Sequence, residues 1–163
     1  MEDYIPYIFR FVFYTFFGLT MEMIFSVHQI DTVLGFKLNR RVPKKYLEGF
    51  VSLTMIPLHG FGLLFGFEYI HTHVHDWFIL YRFCVWAVGF TCMEILWGVA
   101  CEKVLGFYSW DYYADSKFRI FKKGYSLWTL VPLWGVAGII MEFYSGLLIH
   151  LSPYVASFVR AFF

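Results

Sequence analysis

The sequence predicts an all-α, polytopic integral membrane protein in which four transmembrane helices form two similar two-helix halves. Three observations support this fold class. Of the 163 residues, 60% are hydrophobic and only 15% are charged, whereas a soluble domain carries roughly 25% charged residues. Four apolar segments are each long enough to cross a bilayer, which takes about 20 residues. Similar patterns of Glu, Gly and Pro occur twice along the chain.

The four predicted spans and a short tail make residues 1–163 a single membrane domain. The spans cover about residues 5–29, 50–69, 77–101 and 125–149. The first repeat then covers about residues 5–70 and the second about residues 77–150. Residues 151–163 are apolar but too short to span, so they predict a C-terminal interfacial helix.

Two basic loops predict the orientation of the chain in the membrane. Residues 30–49 and 102–124 together hold ten of the 13 Lys and Arg residues. Cytoplasmic loops carry an excess of these residues. Both basic loops are therefore expected to be cytoplasmic, with the termini and the loop His71–Asp76 on the opposite face. The ten cations are Lys37, Arg40, Arg41, Lys44, Lys45, Lys103, Lys117, Arg119, Lys122 and Lys123.

An internal repeat relates the two halves. Residues 49–69 align with residues 124–144 without gaps, and Val33-Leu34-Gly35-Phe36 recurs as residues 104–107. Each repeat holds two spans, so the repeats keep one orientation and a pseudo-twofold axis along the membrane normal is expected. Small residues and prolines at the aligned and helix-face positions predict close helix packing; they are Gly18, Pro57, Gly60, Gly98, Pro132, Gly135 and Gly138.

Carboxylates within the spans are the candidate site residues. A charge that faces lipid is costly, so intramembrane glutamates are expected to face the bundle interior. The candidates for a substrate or ion path are Glu22, Glu94, Glu102 and Glu142. Glu22 and Glu94 follow methionine in both halves and are expected to meet near the pseudo-axis. They are either a paired site for a cation, a proton or a polar headgroup, or hydrogen-bond acceptors that fix helix packing.

Neither a cofactor nor a metal site is predicted. The three cysteines lack metal-type spacing, and His71, His73 and His75 are expected to lie in a solvated loop. The net charge of +1 gives no electrostatic support for nucleic-acid binding. The sequence contains no P-loop, no Ser/His/Asp set in order, no dinucleotide fingerprint and no CxxC pattern, so an enzyme is the less favoured class of function.

Residues around the third span resemble a known family. Glu94, Gly98 and Glu102 precede an interface motif of Lys103, Gly106, Trp110, Asp111 and Tyr112. This pattern resembles the transmembrane protein 229 family, which includes bacterial proteins described as ABC-transporter permeases of the CmpB type. The resemblance covers roughly residues 14–145 and implies a permease-type membrane protein. The chain departs from the family pattern at Leu47-Glu48-Gly49 and at His59.

Three functional hypotheses follow from the sequence. A small permease or channel would use Glu22 and Glu94 in a polar path. A non-catalytic membrane subunit or scaffold would use its aromatic faces against partners. A lipid-acting membrane enzyme would use Glu94, Glu102 and Asp111 as acid and base groups. Membrane lipid is the expected partner in each case, together with further copies of the chain or other subunits of a larger membrane complex.

Overall fold

The computed structural model of the protein describes residues 4–39 and 44–162. It contains four helical segments that are long and apolar enough to cross a membrane. Their bounds are Ile5–His28, Leu53–Val74, Ile79–Leu105 and Val131–Phe162. The predicted all-α membrane fold is confirmed. Arg40 and Arg41 of the first basic loop lie outside the described residues.

The first half combines regular and irregular helices. Helix α1 covers Ile5–His28, and the short helix α2 covers Ile30–Leu34. Short 3-10 helices follow at Lys44–Tyr46 and Leu53–Met55. The second span then continues as a π-helix over Leu58–Phe67 and as helix α3 over Glu68–Val74. This span starts later than predicted and includes His71 and His73, which were expected in a loop.

The second half contains the two longest helices and a small hairpin. Helix α4 covers Ile79–Leu105, and helix α5 covers Val131–Phe162. Between them lie a 3-10 helix at Asp111–Asp115 and the antiparallel strands β1, Arg119–Ile120, and β2, Ser126–Leu127. The fourth span was predicted to start near residue 125, but strand pairing occupies that segment, so α5 starts at Val131.

Two glycines of the repeated Val-Leu-Gly-Phe sequence each end a helix, which is α2 in the first half and α4 in the second half. Gly35 follows α2 with φ of 75°, and Gly106 follows α4 with φ of 81°. Their amides donate to the carbonyls of Asp31 and Glu102, at 3.1 and 3.0 Å. A left-handed residue at this position ends a helix, and glycine adopts it without steric cost. The repeated Val-Leu-Gly-Phe sequence is therefore a helix terminator in both halves.

The C-terminal segment differs from the predicted interfacial helix. Helix α5 continues through Pro153 to Phe162 without a break. Proline removes one backbone hydrogen bond and strains a helix interior. Packing of the tail compensates for that loss, because Ser152 and Ala156 are buried and Arg10 donates to the Ser152 hydroxyl at 3.3 Å. The tail thus extends the fourth span against α1.

The interior consists of two apolar clusters stacked along the bundle. One lies on the side of the basic loops and includes Leu34, Met55, Trp110, Tyr113 and Leu127. The other lies toward the opposite end and includes Tyr14, Phe67, Trp86, Phe90 and Met141. Met93 and Trp134 pack against both clusters. The neighbour of Met93 in the chain, Glu94, therefore lies at the level where the clusters meet.

Candidate functional site

Glu22 forms a pair with the histidine that follows Pro57 by two residues. His59 Nε2 lies 2.9 Å from Glu22 Oε1. Gly18, one turn earlier on α1, makes room for the imidazole, because a Cβ atom there would lie 2.2 Å from His59 Cγ. The side chains of His59 and Glu22 are 16% and 27% exposed. This pair is therefore tightly packed but still reaches the surface of the bundle.

Glu94 is the more deeply buried of the two glutamates. Its Oε2 atom accepts a hydrogen bond of 2.5 Å from the Ser126 hydroxyl and one of 3.1 Å from Trp134 Nε1. Ser126 belongs to β2 and Trp134 to the first turns of α5. Glu94 thereby ties α4 both to the hairpin and to the fourth span.

The 3-10 helix Asp111–Asp115 lies beside both glutamates. Burial raises the pKa of Tyr112, and the Glu22 and Glu94 carboxylates raise it further. The pKa of Tyr113 is raised well above its usual range, first by burial and then by Glu94. The Tyr112 phenol therefore lies within electrostatic range of both carboxylates. Two carboxylates from different halves and two phenol rings thus share one region near the basic-loop end. We call Glu22, His59, Glu94, Ser126 and Trp134 the inner layer.

A second group of charges, buried or partly buried, lies toward the other end of the bundle. Arg10 Nε lies 2.9 Å from Glu68 Oε1, and Arg82 Nη1 lies 3.0 Å from Glu142 Oε2. The Tyr14 hydroxyl donates to Glu68 at 2.8 Å, and Trp86 Nε1 donates to Glu142 at 2.7 Å. Each of these glutamates therefore has one arginine and one aromatic donor. We call these six residues the outer layer.

Glu142 was predicted from the sequence as part of an ion path, whereas Glu68 and both arginines were not predicted. The contacts of Glu142 are an ion pair with Arg82 and a hydrogen bond from Trp86. One signal was available, since Arg10 and Arg82 are separated by the same 72 residues as Glu22 and Glu94. Matching the first spans of the two halves at that offset would have paired the arginines.

Contacts in the two layers match between the halves. Each first-span glutamate contacts the residue two positions after the proline, which is His59 in one half and Trp134 in the other. A Cβ atom at Gly60 would meet the Phe11 ring, and one at Gly135 would meet the Phe83 ring. The twofold repeat stays a prediction, and these matched contacts support it.

The π-helix explains why the outer layer departs from the gapless alignment. Gly60 and Glu68 are eight residues apart, but Gly135 and Glu142 are seven apart. A π-helix bonds residue i to i+5, so it holds more residues per turn than an α-helix. The ten π-helical residues of the second span therefore absorb one extra residue and bring Glu68 to the level that Glu142 occupies.

Glu102, Lys103 and Gly106 lie at the end of α4, whereas Tyr112 of the interface motif lies on the 3-10 helix beside the inner glutamates. Lys123 Nζ lies 2.5 Å from Glu102 Oε1, and the Tyr125 hydroxyl also donates to Glu102. This carboxylate raises the pKa of Lys123. Trp110 Nε1 donates to the Tyr125 carbonyl at 2.8 Å, while Lys103 and Asp111 are exposed. These residues fix the hairpin to the helix end.

Five predicted packing glycines lie against aromatic or imidazole rings. Besides the three described above, a Cβ atom at Gly98 would lie 3.0 Å from the Tyr125 ring and one at Gly138 would lie 2.2 Å from Trp86 Cγ. The prolines Pro57 and Pro132 stand at the start of the π-helix and of α5, where proline is favoured. Small residues thus let large rings approach the helix backbones.

The histidines of the second span lie on a helix rather than on a strand or loop. His71 and His73 belong to α3, and His75 follows its last residue. His71 and His75 share a helix face, with ring centroids 6.0 Å apart, whereas the His73 ring lies against the Tyr69 ring in a tilted arrangement. Helical geometry therefore separates the three rings that strand geometry would have aligned.

Comparison with known proteins gives one match. Residues 9–162 match the model of a family described as "Putative ABC-transporter type IV". No curated protein and no solved structure matches the chain. The resemblance to the transmembrane protein 229 family stays a prediction.

Proposed function

The chain belongs to the family described as putative ABC-transporter type IV, and from that premise we propose that it is the ion-handling membrane component of a transporter. Its working groups in this proposal are Glu22 and Glu94. The supporting observation is a contrast between the two layers. Glu68 and Glu142 each contact an arginine. The described partners of the inner glutamates are His59, Ser126 and Trp134, none of which carries a permanent charge.

An inner carboxylate without a fixed counter-charge has to be neutralised in another way. Transfer of an isolated ionised carboxylate into an apolar interior is very costly. Two carboxylates that share a site also repel each other, so one of them tends to keep a proton. The inner layer therefore needs a mobile cation or a proton, and this requirement is what a transport site exploits.

The donors around Glu94 argue against a metal ion at this carboxylate. The indole N–H of Trp134 can only donate, and the Ser126 hydroxyl also donates to the carboxylate. These donors occupy lone pairs on Oε2 that a metal ion would use. Hard cations such as Ca²⁺ take about six to eight oxygen ligands, whereas the inner layer offers two carboxylates and otherwise presents N–H and O–H groups. We therefore propose a proton rather than a metal ion.

His59 gives the inner layer a route for proton exchange. An imidazole can accept and donate a proton, and His59 contacts the more exposed of the two glutamates. Because Glu22 and His59 are more exposed than Glu94, a proton entering the inner layer would meet them first. Four helices enclose little space, so the proposal includes further copies of this chain or other subunits around the path.

Proton flux into vesicles tests the proposal. The protein is reconstituted with a pH-sensitive dye inside, a pH gradient is imposed, and Glu94→Gln and Glu22→Gln are compared with the native chain. Both variants are expected to abolish flux. Glu48→Gln is the matched control, since Glu48 is exposed outside the spans, and it should behave like the native protein.

An infrared measurement tests protonation even if flux requires a missing subunit. A protonated inner carboxyl gives a carboxylic C=O band at neutral pH, and this band should disappear in Glu94→Gln, Glu22→Gln or the double variant. Unchanged spectra and unchanged flux in all three variants would contradict the proposal.

The scaffold hypothesis keeps one specific observation in its favour. Both inner glutamates accept hydrogen bonds from closely packed side chains, as glutamates that only fix helix packing would. In that case Glu94→Ala should lower stability while Glu94→Gln is silent in every assay. The lipid-enzyme hypothesis is not favoured, because Glu102 is bound by Lys123 and Tyr125 rather than grouped with Glu94.

A further inference from the structure

A cationic hairpin connects the last two spans. Residues 117–128 contain Lys117, Arg119, Lys122 and Lys123 and neither Asp nor Glu. The same segment holds β1 and β2, which pair antiparallel. Because α4 ends at Leu105 and α5 begins at Val131, both flanks of the hairpin are tied to spans. The hairpin therefore lies at a membrane surface, whichever face that is.

One side of the hairpin is fixed to the helical bundle. Leu127 is fully buried, and the Ser126 hydroxyl is bound to Glu94. The Phe118 ring packs against Gly35, where a Cβ atom would lie 2.8 Å from it. These contacts join the hairpin to α4 and to the end of α2, so it has a defined orientation relative to the spans.

The hairpin also exposes two large aromatic rings close in sequence to its cations. Phe121 and Trp128 are 65% and 66% exposed. Phe121 has φ of 62°, a left-handed conformation that is unfavourable for a bulky side chain. Aromatic rings are enriched where headgroups meet the hydrocarbon. Phe121 is exposed and lies between Arg119 and Lys122 in the sequence. This placement suits a ring at the level where headgroups meet the hydrocarbon.

The cations differ in how free they are to bind a ligand. The Lys123 ammonium contacts Glu102, and Arg119 Nη1 donates to the Ala114 carbonyl at 3.0 Å. Lys117 and Lys122 are exposed, and Lys117 Nζ lies over the Phe118 ring, 4.9 Å from its centroid. Lys117 and Lys122 are thus the groups best placed for an outside anion.

We propose that this hairpin binds the phosphate groups of anionic phospholipids in the leaflet that it touches, with Phe121 and Trp128 in the boundary layer. Cations at a membrane surface attract anionic lipids, and the charge of the hairpin is complementary to them. Inorganic phosphate would satisfy the lysines but would leave both rings in water. A lipid satisfies the lysines and the rings together.

Thermal unfolding of the full chain in detergent tests the proposal. Phosphatidylglycerol is titrated in, with phosphatidylcholine and inorganic phosphate as parallel additions. A ligand that binds only the folded state raises Tm, so phosphatidylglycerol should raise the Tm more than either of the others. Equal shifts with both lipids, or an equal shift with inorganic phosphate, would overturn the proposal.

Paired lysine variants locate the effect. Lys117→Gln with Lys122→Gln should weaken the apparent phosphatidylglycerol affinity roughly 30-fold, at about 1 kcal/mol per surface cation. The control is Lys37→Gln with Lys45→Gln, which removes the same charge from exposed positions in the other basic loop. An equal loss in both double variants would show general electrostatic attraction and would also overturn the proposal.

A Phe121 variant separates lipid binding from folding. Asparagine tolerates the left-handed conformation, so Phe121→Asn should keep or raise the Tm in phosphatidylcholine. The same variant should lower the phosphatidylglycerol affinity, because the ring that enters the boundary layer is lost. Unchanged phosphatidylglycerol affinity in Phe121→Asn would overturn the claim that the Phe121 ring enters the boundary layer.

Discussion

Glu22 and His59 are joined at 2.9 Å across two helices, and the contact depends on a glycine. Gly18 leaves the space that the imidazole fills. The equivalent contact in the second half joins Glu94 to Trp134. Phe90 stands 72 residues after Gly18 and makes an edge-to-face contact with Trp134, with ring centroids 6.0 Å apart. In each half, the ring that contacts the glutamate is therefore positioned by the residue one turn before that glutamate. Gly18 positions His59, and Phe90 positions Trp134.

Gly18→Ala should disrupt the inner layer. The added methyl group would lie 2.2 Å from His59 Cγ, so either the ring or a helix has to move. Overpacking of this kind costs about 1–3 kcal/mol, measured by chemical unfolding in detergent. Gly89→Ala is the control, since Gly89 lies in α4 with nothing within 4 Å of its added Cβ atom. Equal stability of the two variants would refute the packing role of Gly18.

Glutamates of the outer layer should contribute more to stability than those of the inner layer. Glu142→Gln leaves Arg82 without its counter-charge, and breaking a buried pair in this way costs about 3–5 kcal/mol. Glu94→Gln keeps an acceptor for Ser126 and Trp134 and should lower the free energy of unfolding by less than about 1 kcal/mol. Chemical unfolding of both variants under the same conditions measures the two losses.

Removal of both charges from the outer pair provides the check on that prediction. Arg82→Met combined with Glu142→Leu should recover most of the stability lost in Glu142→Gln, because apolar replacements of a buried pair are often neutral. If Glu94→Gln proved as destabilising as Glu142→Gln, the distinction between a structural and an ion-handling layer would not hold.

Hydrophobic length and composition predicted the four spans because both depend on the bilayer alone. The same information could not predict the hairpin at residues 119–127, since Ser126 and Leu127 read as the start of an apolar span. Their strand pairing depends on partners that lie six residues before Ser126 and eight residues before Leu127. Likewise, residues 151–163 were predicted to form an interfacial helix, whereas the burial of Ser152 and Ala156 and the contact with the distant Arg10 keep this helix on the bundle.

The glutamates illustrate a second limit of the sequence. Position within an apolar segment was enough to select Glu22, Glu94 and Glu142. It could not separate them by role, because the arginine that neutralises Glu142 lies 60 residues earlier on another helix. Pairing between spans depends on helix rotation and on the π-helical register of the second span, and neither has a clear periodic signal in the sequence.

The orientation predicted from the basic loops can be tested with thiol reagents. A cysteine at Lys44 or Lys122 should resist a membrane-impermeant reagent added outside intact cells, whereas one at Thr72 should react. The test needs a background without Cys84, Cys92 and Cys101, because two of these native cysteines are exposed. Ready labelling at Lys44 or Lys122 would overturn the assignment, and labelling after permeabilisation is the control for reactivity.

Alkaline pH should destabilise the protein through Tyr113. Burial first, and Glu94 second, raise the pKa of this phenol well above the ordinary value of 10.0. The folded state therefore keeps a proton that the unfolded chain releases above about pH 10. The contribution of Tyr113 to the free energy of unfolding is fully present below about pH 10. It falls as the pH rises from there toward the folded-state pKa. The loss is up to about 1.4 kcal/mol per pH unit.

Comparison of two tyrosine variants isolates this effect from other alkaline titrations. Tyr113→Phe cannot ionise, so its free energy of unfolding should fall less steeply than that of the native chain between pH 10 and 11. Tyr46→Phe removes a hydroxyl from an exposed ring in the first basic loop and should follow the native curve. Parallel curves for the native chain and Tyr113→Phe would mean that the Tyr113 phenol has the same pKa in the folded and the unfolded state. The 3-10 helix would then be open to water, and the inner glutamates would lose the buried phenol that lies beside them.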